Sequence, residues 1–165
     1  MRDLLRAAAL CAIAGGALRI ADSFTANSLP AGTLAMLYLV TDMLLLAGIA
    51  GVWWRRRASL GRMGAAGVAI FVAGILAIRI AAFGMFGANG YQFGATLALL
   101  GLAAYSIEAL FRRGAAPFAP LLWLVSLGCG IAGAAGLAPG ALTVAAGVCF
   151  GAGFVAAGAE SLTRA

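Results

Sequence analysis

The chain has 165 residues, of which 64% are hydrophobic and only 10% are charged. Soluble domains carry about 45–50% apolar and about 25% charged residues, so this composition excludes an ordinary soluble fold. The net charge of +6 comes from eleven arginines and five acidic residues, without any lysine. Nine of the eleven arginines lie at the chain ends or in two short polar segments. That distribution is typical of membrane-helix orientation, so no nucleic-acid partner is expected.

Two residue types are missing, and their absence excludes several kinds of chemistry. Without histidine, the chain cannot form a bis-histidine haem site, a histidine-ligated zinc site or a Ser-His catalytic pair. Without lysine, it cannot form a Schiff base. Cys11, Cys129 and Cys149 stand singly in apolar runs and are interpreted as buried apolar side chains. We therefore expect neither a metal nor a cofactor.

The apolar runs predict an all-α fold, a single transmembrane domain of six helices that spans residues 1–165. The first run is interpreted as a retained helix rather than a secretory signal, because it continues past Arg19 to Phe24. Short polar turns separate the runs, and the four prolines fall at turns or helix starts. The predicted helices cover, approximately, residues 4–24, 33–54, 63–83, 91–111, 117–137 and 140–160.

The arginines predict how these helices are oriented. They return to the same side after every second helix, and the chain begins and ends on that side. Because cytoplasmic loops are enriched in arginine, both termini are predicted to be cytoplasmic in a multi-pass protein of the inner membrane. The loops are short, so any chemistry is expected within the bilayer or at its edge.

The six helices group into three hairpins of similar internal spacing. The segments that begin at Arg19, Arg79 and Gly130 each continue with Ile-Ala and reach a further arginine after 36, 33 and 34 residues. This pattern predicts a threefold internal repeat. The alternative is a chance alignment of helices that are all rich in Ala, Gly and Leu.

Two glutamates near predicted helix ends precede an arginine by four residues. Glu108 precedes Arg112, and Glu160 precedes Arg164. Residues four apart share a helix face, so each glutamate can meet its arginine. We interpret both as structural ion pairs at the inner membrane surface.

The third hairpin lacks intramembrane charge and is rich in glycine. Gly147 and Gly151 have the small-xxx-small spacing that allows helix backbones to approach closely. This spacing predicts a packing surface. Its partner is either another helix of the same chain, or a second copy or another subunit of a membrane complex.

Four charged side chains interrupt the apolar runs. Arg19 and Asp22 fall in the first helix, Asp42 in the second and Arg79 in the third. Tyr38 shares a helix face with Asp42, as Arg19 does with Asp22. Counting inward at about 1.5 Å per residue places all five in the outer half of the bilayer, with Asp42 deepest at about 14 Å. Charge at such depth is energetically costly and marks a functional site or an interhelical lock.

Three interpretations of these charges stay open, because two positive and two negative groups sum to zero. The first is a structural lock between helices. The second is a pocket in which arginines bind a carboxylate or phosphate while Asp42 receives an amine or a proton. The third is a proton-coupled role for Asp42 alone. Thr41 and Gln92 are further candidate hydrogen-bond partners.

The pattern favours binding or transport of a small charged or zwitterionic solute. The alternative is an accessory, assembly or structural subunit of a larger membrane complex, which the short loops and unbroken helices would suit. No catalytic residue is predicted, because the chain has neither the Gly-x-Gly-Asp pattern of intramembrane aspartyl proteases nor an Asp-x-x-Asp pair for metal-dependent chemistry. An enzyme is therefore not favoured.

Overall fold

The computed structural model describes residues 1–25, 29–82, 89–112 and 118–163, apart from the side chain of Pro139. Over these residues the chain forms six α-helices and no β-strand, which confirms the all-α prediction. The helices are α1 (Arg2–Thr25), α2 (Ala31–Arg56), α3 (Arg62–Ala82), α4 (Gly90–Phe111), α5 (Phe118–Ala134) and α6 (Pro139–Thr163). Residues 83 and 117, at predicted helix limits, lie outside the described ranges.

Five of the helices are long and apolar enough to cross a membrane, and these are α1 to α4 and α6. The fifth helix, α5, is also apolar but has 17 residues. At about 1.5 Å per residue it is about 26 Å long, slightly less than the hydrocarbon thickness of about 30 Å. The bundle therefore contains five helices of spanning length and one shorter apolar helix.

The end of α5 differs from the prediction of residue 137. The helix ends at Ala134, because Gly136 adopts a left-handed conformation with φ of +86°. The N–H of Gly136 donates to the carbonyl of Gly133, and the N–H of Leu137 donates to the carbonyl of Ala132, both at 3.1 Å. These two bonds form a Schellman motif, which satisfies the last carbonyls of the helix and stops it.

Helices α3 and α4 pack antiparallel through glycines that face each other. Gly67 lies against Gly101, and Gly74 lies against Gly94. A methyl group added at any of these four positions would collide with backbone atoms of the opposite helix. Such backbone-to-backbone contact is a common mode of helix association in lipid, where packing replaces the hydrophobic effect.

Helix α1 lies between α2 and α6 and packs closely on both. Gly48 of α2 lies against Ala12, and Gly151 of α6 lies against Gly16. Helix α5 packs against both α6 and α4. By contrast, α2 has few close contacts with α3 or with α6. Charged side chains bridge α2 to both of these helices, as described below.

An aromatic cluster fills the centre of the bundle and joins α3, α4, α5 and α6. The rings are all buried, with centroids 5.2–6.3 Å apart, and belong to Phe71, Tyr105, Trp123, Phe150 and Phe154. The Trp123 indole N–H donates to the carbonyl of Phe150 at 3.3 Å. The hydroxyl of Tyr105, in contrast, is buried without a hydrogen-bond partner among the described residues. The packed rings, with the Trp123 indole held by its hydrogen bond, give the centre both packing and orientation.

Candidate functional site

Polar side chains, of which Asp22, Thr41 and Asp42 are buried, gather at the end of the bundle where α1 ends and α2 begins. They come from α1, α2, α3 and α4, and all except Thr41, which adjoins Asp42 in α2, interact electrostatically with other members of the group. We call this group the Asp22 cluster, and it consists of Arg19, Asp22, Tyr38, Thr41, Asp42, Arg79 and Tyr91. The structure therefore brings together all five residues that the sequence proposed as a polar site.

Asp42 and Arg79 form an ion pair that connects α2 to α3. The Arg79 Nε lies 2.7 Å from Asp42 Oδ2, and the two side chains are 20% and 12% exposed, respectively. The Nε–H is not aligned with that oxygen as a hydrogen bond requires, so the contact is one of charge and proximity. Because α2 and α3 otherwise touch little, this pair is a major link between them. Its geometry fits an interhelical lock.

Asp22 is the most unusual member of the cluster. It is 1% exposed, and neither of its carboxylate oxygens has a hydrogen-bond partner among the described residues. Arg19 lies one helical turn away and interacts with Asp22 electrostatically, but the two do not form an ion pair. A buried carboxylate without partners is strongly disfavoured as a free anion. Asp22 therefore requires a proton, a cation or a ligand donor.

Arg19 is partly buried and interacts with groups from two other helices. Its guanidinium interacts electrostatically with Tyr91 of α4 and with Tyr38 of α2. The sequence interpretation proposed Gln92 as a polar partner from α4. Both Gln92 and its neighbour Tyr91 are exposed, and Tyr91 is the one that interacts with Arg19. Tyr91 was missed because an aromatic residue at a helix start is ordinarily an interfacial anchor. Its position near the level of Arg19 was the available signal.

Thr41 adds a further unsatisfied group to the cluster. It is 1% exposed, and its hydroxyl has no hydrogen-bond partner among the residues that the structure describes. A threonine hydroxyl in a helix usually bonds to a backbone carbonyl one turn earlier. Together with the oxygens of Asp22, it gives the cluster buried hydrogen-bonding capacity that the described protein does not use.

A second ion pair links α2 to α6 at the opposite end of the bundle. Arg56 Nη2 lies 2.5 Å from Glu160 Oε2, and the side chain of Tyr105 interacts with both residues. The sequence pattern paired Glu160 with Arg164, which lies outside the described residues. Arg56 is 104 residues away in the chain, so no local spacing could have indicated it.

Glu108 is bound both by an arginine and by backbone amides. Arg112 Nε lies 2.8 Å from Glu108 Oε1, the i to i+4 contact that the spacing predicted. The carboxylate also accepts hydrogen bonds from the N–H groups of Gly61, at 2.7 Å, and Gly64. Gly61 precedes the first residue of α3, so a side chain of α4 caps the start of α3. The capping contact was not predicted.

The glycines of α6 pack inside the chain. A methyl group at Gly147 would meet Ser23, and one at Gly151 would meet Gly16 and Ile20, all in α1. Of the two partners that the sequence left open for this face, the structure shows another helix of the same chain. Gly128 of α5, in contrast, has nothing within 4 Å of the position of an added methyl group.

Among the described residues, no three or more Cys, Asp or Glu side chains are grouped so as to hold a metal ion. The apolar helices define the class of this chain as a multi-pass membrane protein, and a few polar side chains, among them Asp22 and Asp42, are buried in it. No protein-family model matches the chain, and no curated protein or solved structure is significantly similar to it.

Proposed function

We propose that this chain is an inner-membrane protein of six spans that binds and transports a small charged or zwitterionic solute through the Asp22 cluster. The observation that carries the proposal is Asp22 itself. It is 1% exposed, neither of its oxygens has a hydrogen-bond partner among the described residues, and it does not pair with the neighbouring Arg19. A protein that needed only a structural lock would gain nothing from this arrangement, whereas a binding site must leave such groups available.

The arginine distribution supports the orientation in this proposal. Nine arginines fall on the side where the chain begins and ends, which favours cytoplasmic termini. The Asp22 cluster then lies in the outer half of the bilayer. We take α5 as the sixth span, because it packs against α4 and α6 and places Trp123 in the central aromatic cluster. Thinning of the bilayer around a short helix accommodates a difference of a few ångströms.

Within the cluster we assign the charged residues to two tasks. Asp42 and Arg79 neutralise each other and hold α2 near α3. Asp22 and Arg19 remain available on one face of α1 and bind the solute. This assignment revises the expectation that Asp42 receives the ligand, because Asp42 already has a partner and Asp22 has none within the described parts of the chain.

The proposal is tested by thermal unfolding of the purified protein in detergent with a panel of amino acids, polyamines, dicarboxylates and phosphate monoesters. A bound solute at a hundredfold excess over its Kd stabilises the folded state by about 2.7 kcal/mol. We expect at least one class to raise Tm, and Asp22→Asn and Arg19→Gln to abolish that rise. The exposed residues Asp3 and Arg62 provide matched controls, Asp3→Asn and Arg62→Gln. The absence of any stabilising class would refute the proposal.

A second candidate function is that of an accessory or assembly subunit. The observation that favours it is on α5, the shortest helix, where Phe118, Val125 and Ile131 are exposed and Gly128 faces open space. A helix from another subunit could pack there. Purification from the native membrane in mild detergent distinguishes the two functions, because a subunit would retain a partner in a fixed ratio and a transporter would not.

A further inference from the structure

The two oxygens of Asp22 define which donor group fits the site. Both are buried and lack a donor among the described residues. A primary ammonium group offers three N–H donors and a positive charge, so it can serve both oxygens at once. A quaternary ammonium group carries the charge but has no N–H to donate. The site therefore favours a ligand with a primary ammonium group.

Arg19 indicates which chemical group the other end of the ligand carries. A guanidinium has five N–H donors, more than its interaction with Tyr91 can use. The remaining donors form the planar fork that binds a carboxylate with two parallel hydrogen bonds. Arg19 thus offers a carboxylate site within one helical turn of the ammonium site at Asp22.

The charge balance of the cluster favours a ligand that carries an ammonium group and a carboxylate together, because Asp22 without a cation must take up a proton. Because Asp42 and Arg79 pair with each other, Arg19 and Asp22 remain as one positive and one negative group. A simple amine would leave Arg19 without an anion, and a simple carboxylate would leave Asp22 without a cation. Each unpaired buried charge disfavours the wrong ligand, which is how a site rejects close analogues.

On the basis of the proposed function, we infer that the solute is a short zwitterion of the amino-acid type, with its ammonium group on Asp22 and its carboxylate on Arg19. Side chains three residues apart on a helix have Cβ atoms about 5–6 Å apart. A ligand that bridges two such neighbours needs its own charged groups close together, as in an α-amino acid.

Binding of the twenty common L-amino acids to the full-length protein, measured by isothermal titration calorimetry, tests this inference. The tightest binder is then compared with three derivatives: its methyl ester, its deaminated acid and its N-trimethyl form. We expect each derivative to bind at least about 30-fold more weakly, because each leaves a buried charge or a buried acceptor unpaired. This comparison uses the wild-type protein and does not depend on any variant folding.

Two variants assign each end of the ligand to its residue. Asp22→Asn should reduce the preference for the amino acid over its deaminated acid, and Arg19→Gln should reduce the preference over the methyl ester. Asp3→Asn should change neither preference.

If polyamines, dicarboxylates or phosphate monoesters bind and amino acids do not, the inference is wrong while the proposed function stands. Equal binding of all three derivatives would also overturn it. If no solute binds, the proposed function fails as well.

Discussion

The ion pair between Asp42 and Arg79 allows a quantitative test of the lock between α2 and α3. Removing one partner, by Asp42→Asn or Arg79→Gln, leaves the other charge buried. In soluble proteins this costs about 3–5 kcal/mol. The side chains keep 12% and 20% exposure, and the Nε–H is not aligned with the carboxylate oxygen, so we expect the lower value. Each single variant should lose about 3 kcal/mol of unfolding free energy.

The double variant tests whether the contact between Asp42 and Arg79 stabilises the fold or is only a coincidental proximity. It leaves no unpaired charge at this position, so it should recover at least about 2 kcal/mol relative to the sum of the single changes. The measurement is equilibrium unfolding of the four proteins in mixed micelles, with exposed Arg62→Gln as the control for loss of an arginine. Additive losses, or single losses under about 1 kcal/mol, would show that Asp42 and Arg79 are not a lock.

Two further predictions concern topology and packing. In a background without the native cysteines, a cysteine at Asn89 should react with a membrane-impermeant maleimide in intact spheroplasts, and one at Ser59 only after lysis. The reverse pattern would contradict cytoplasmic termini. Gly151→Leu should destabilise the protein by about 3 kcal/mol, because a side chain there meets the backbone of α1. Gly128→Leu, facing open space, is the matched control, and equal stability of both variants would contradict the packing role.

The helices could be predicted because apolar length and turn residues determine them almost alone. Runs of about twenty apolar residues have few alternatives to a helix in this composition. The exception is the end of α5, where the apolar run continues past the helix. Hydropathy cannot detect this end, because it depends on the conformation of Gly136 and on hydrogen bonds to the carbonyls of Gly133 and Ala132. Gly136, followed by Pro139 three residues later, was the available signal for this helix end.

The members of the site were easier to predict than their partners. Arg19, Asp22, Asp42 and Arg79 are conspicuous because each interrupts a hydrocarbon run, and burial of such groups requires a reason. Which of these residues form ion pairs depends on how the helices pack against one another. Sequence spacing, in contrast, indicates only pairs of neighbours on the same helix. Arg19 and Asp22 are such neighbours and do not pair, whereas Asp42 finds its partner on α3.

Burial of Asp22 also constrains how a solute reaches it. At 1% exposure, Asp22 is closed to a solute until the groups that cover it move, and a separation of helices is one such movement. Separation of α1 from α6, or of α3 from α4, would break the backbone contacts made at glycines such as Gly16 and Gly74. Helix α2 instead has few contacts with α3, and the Asp42–Arg79 pair bridges the two. Parting of α2 from α3 therefore disrupts less packing than these two separations, and it is the route to Asp22 that we expect. If this route operates, a variant that weakens the pair should speed the entry of the solute even as it destabilises the fold.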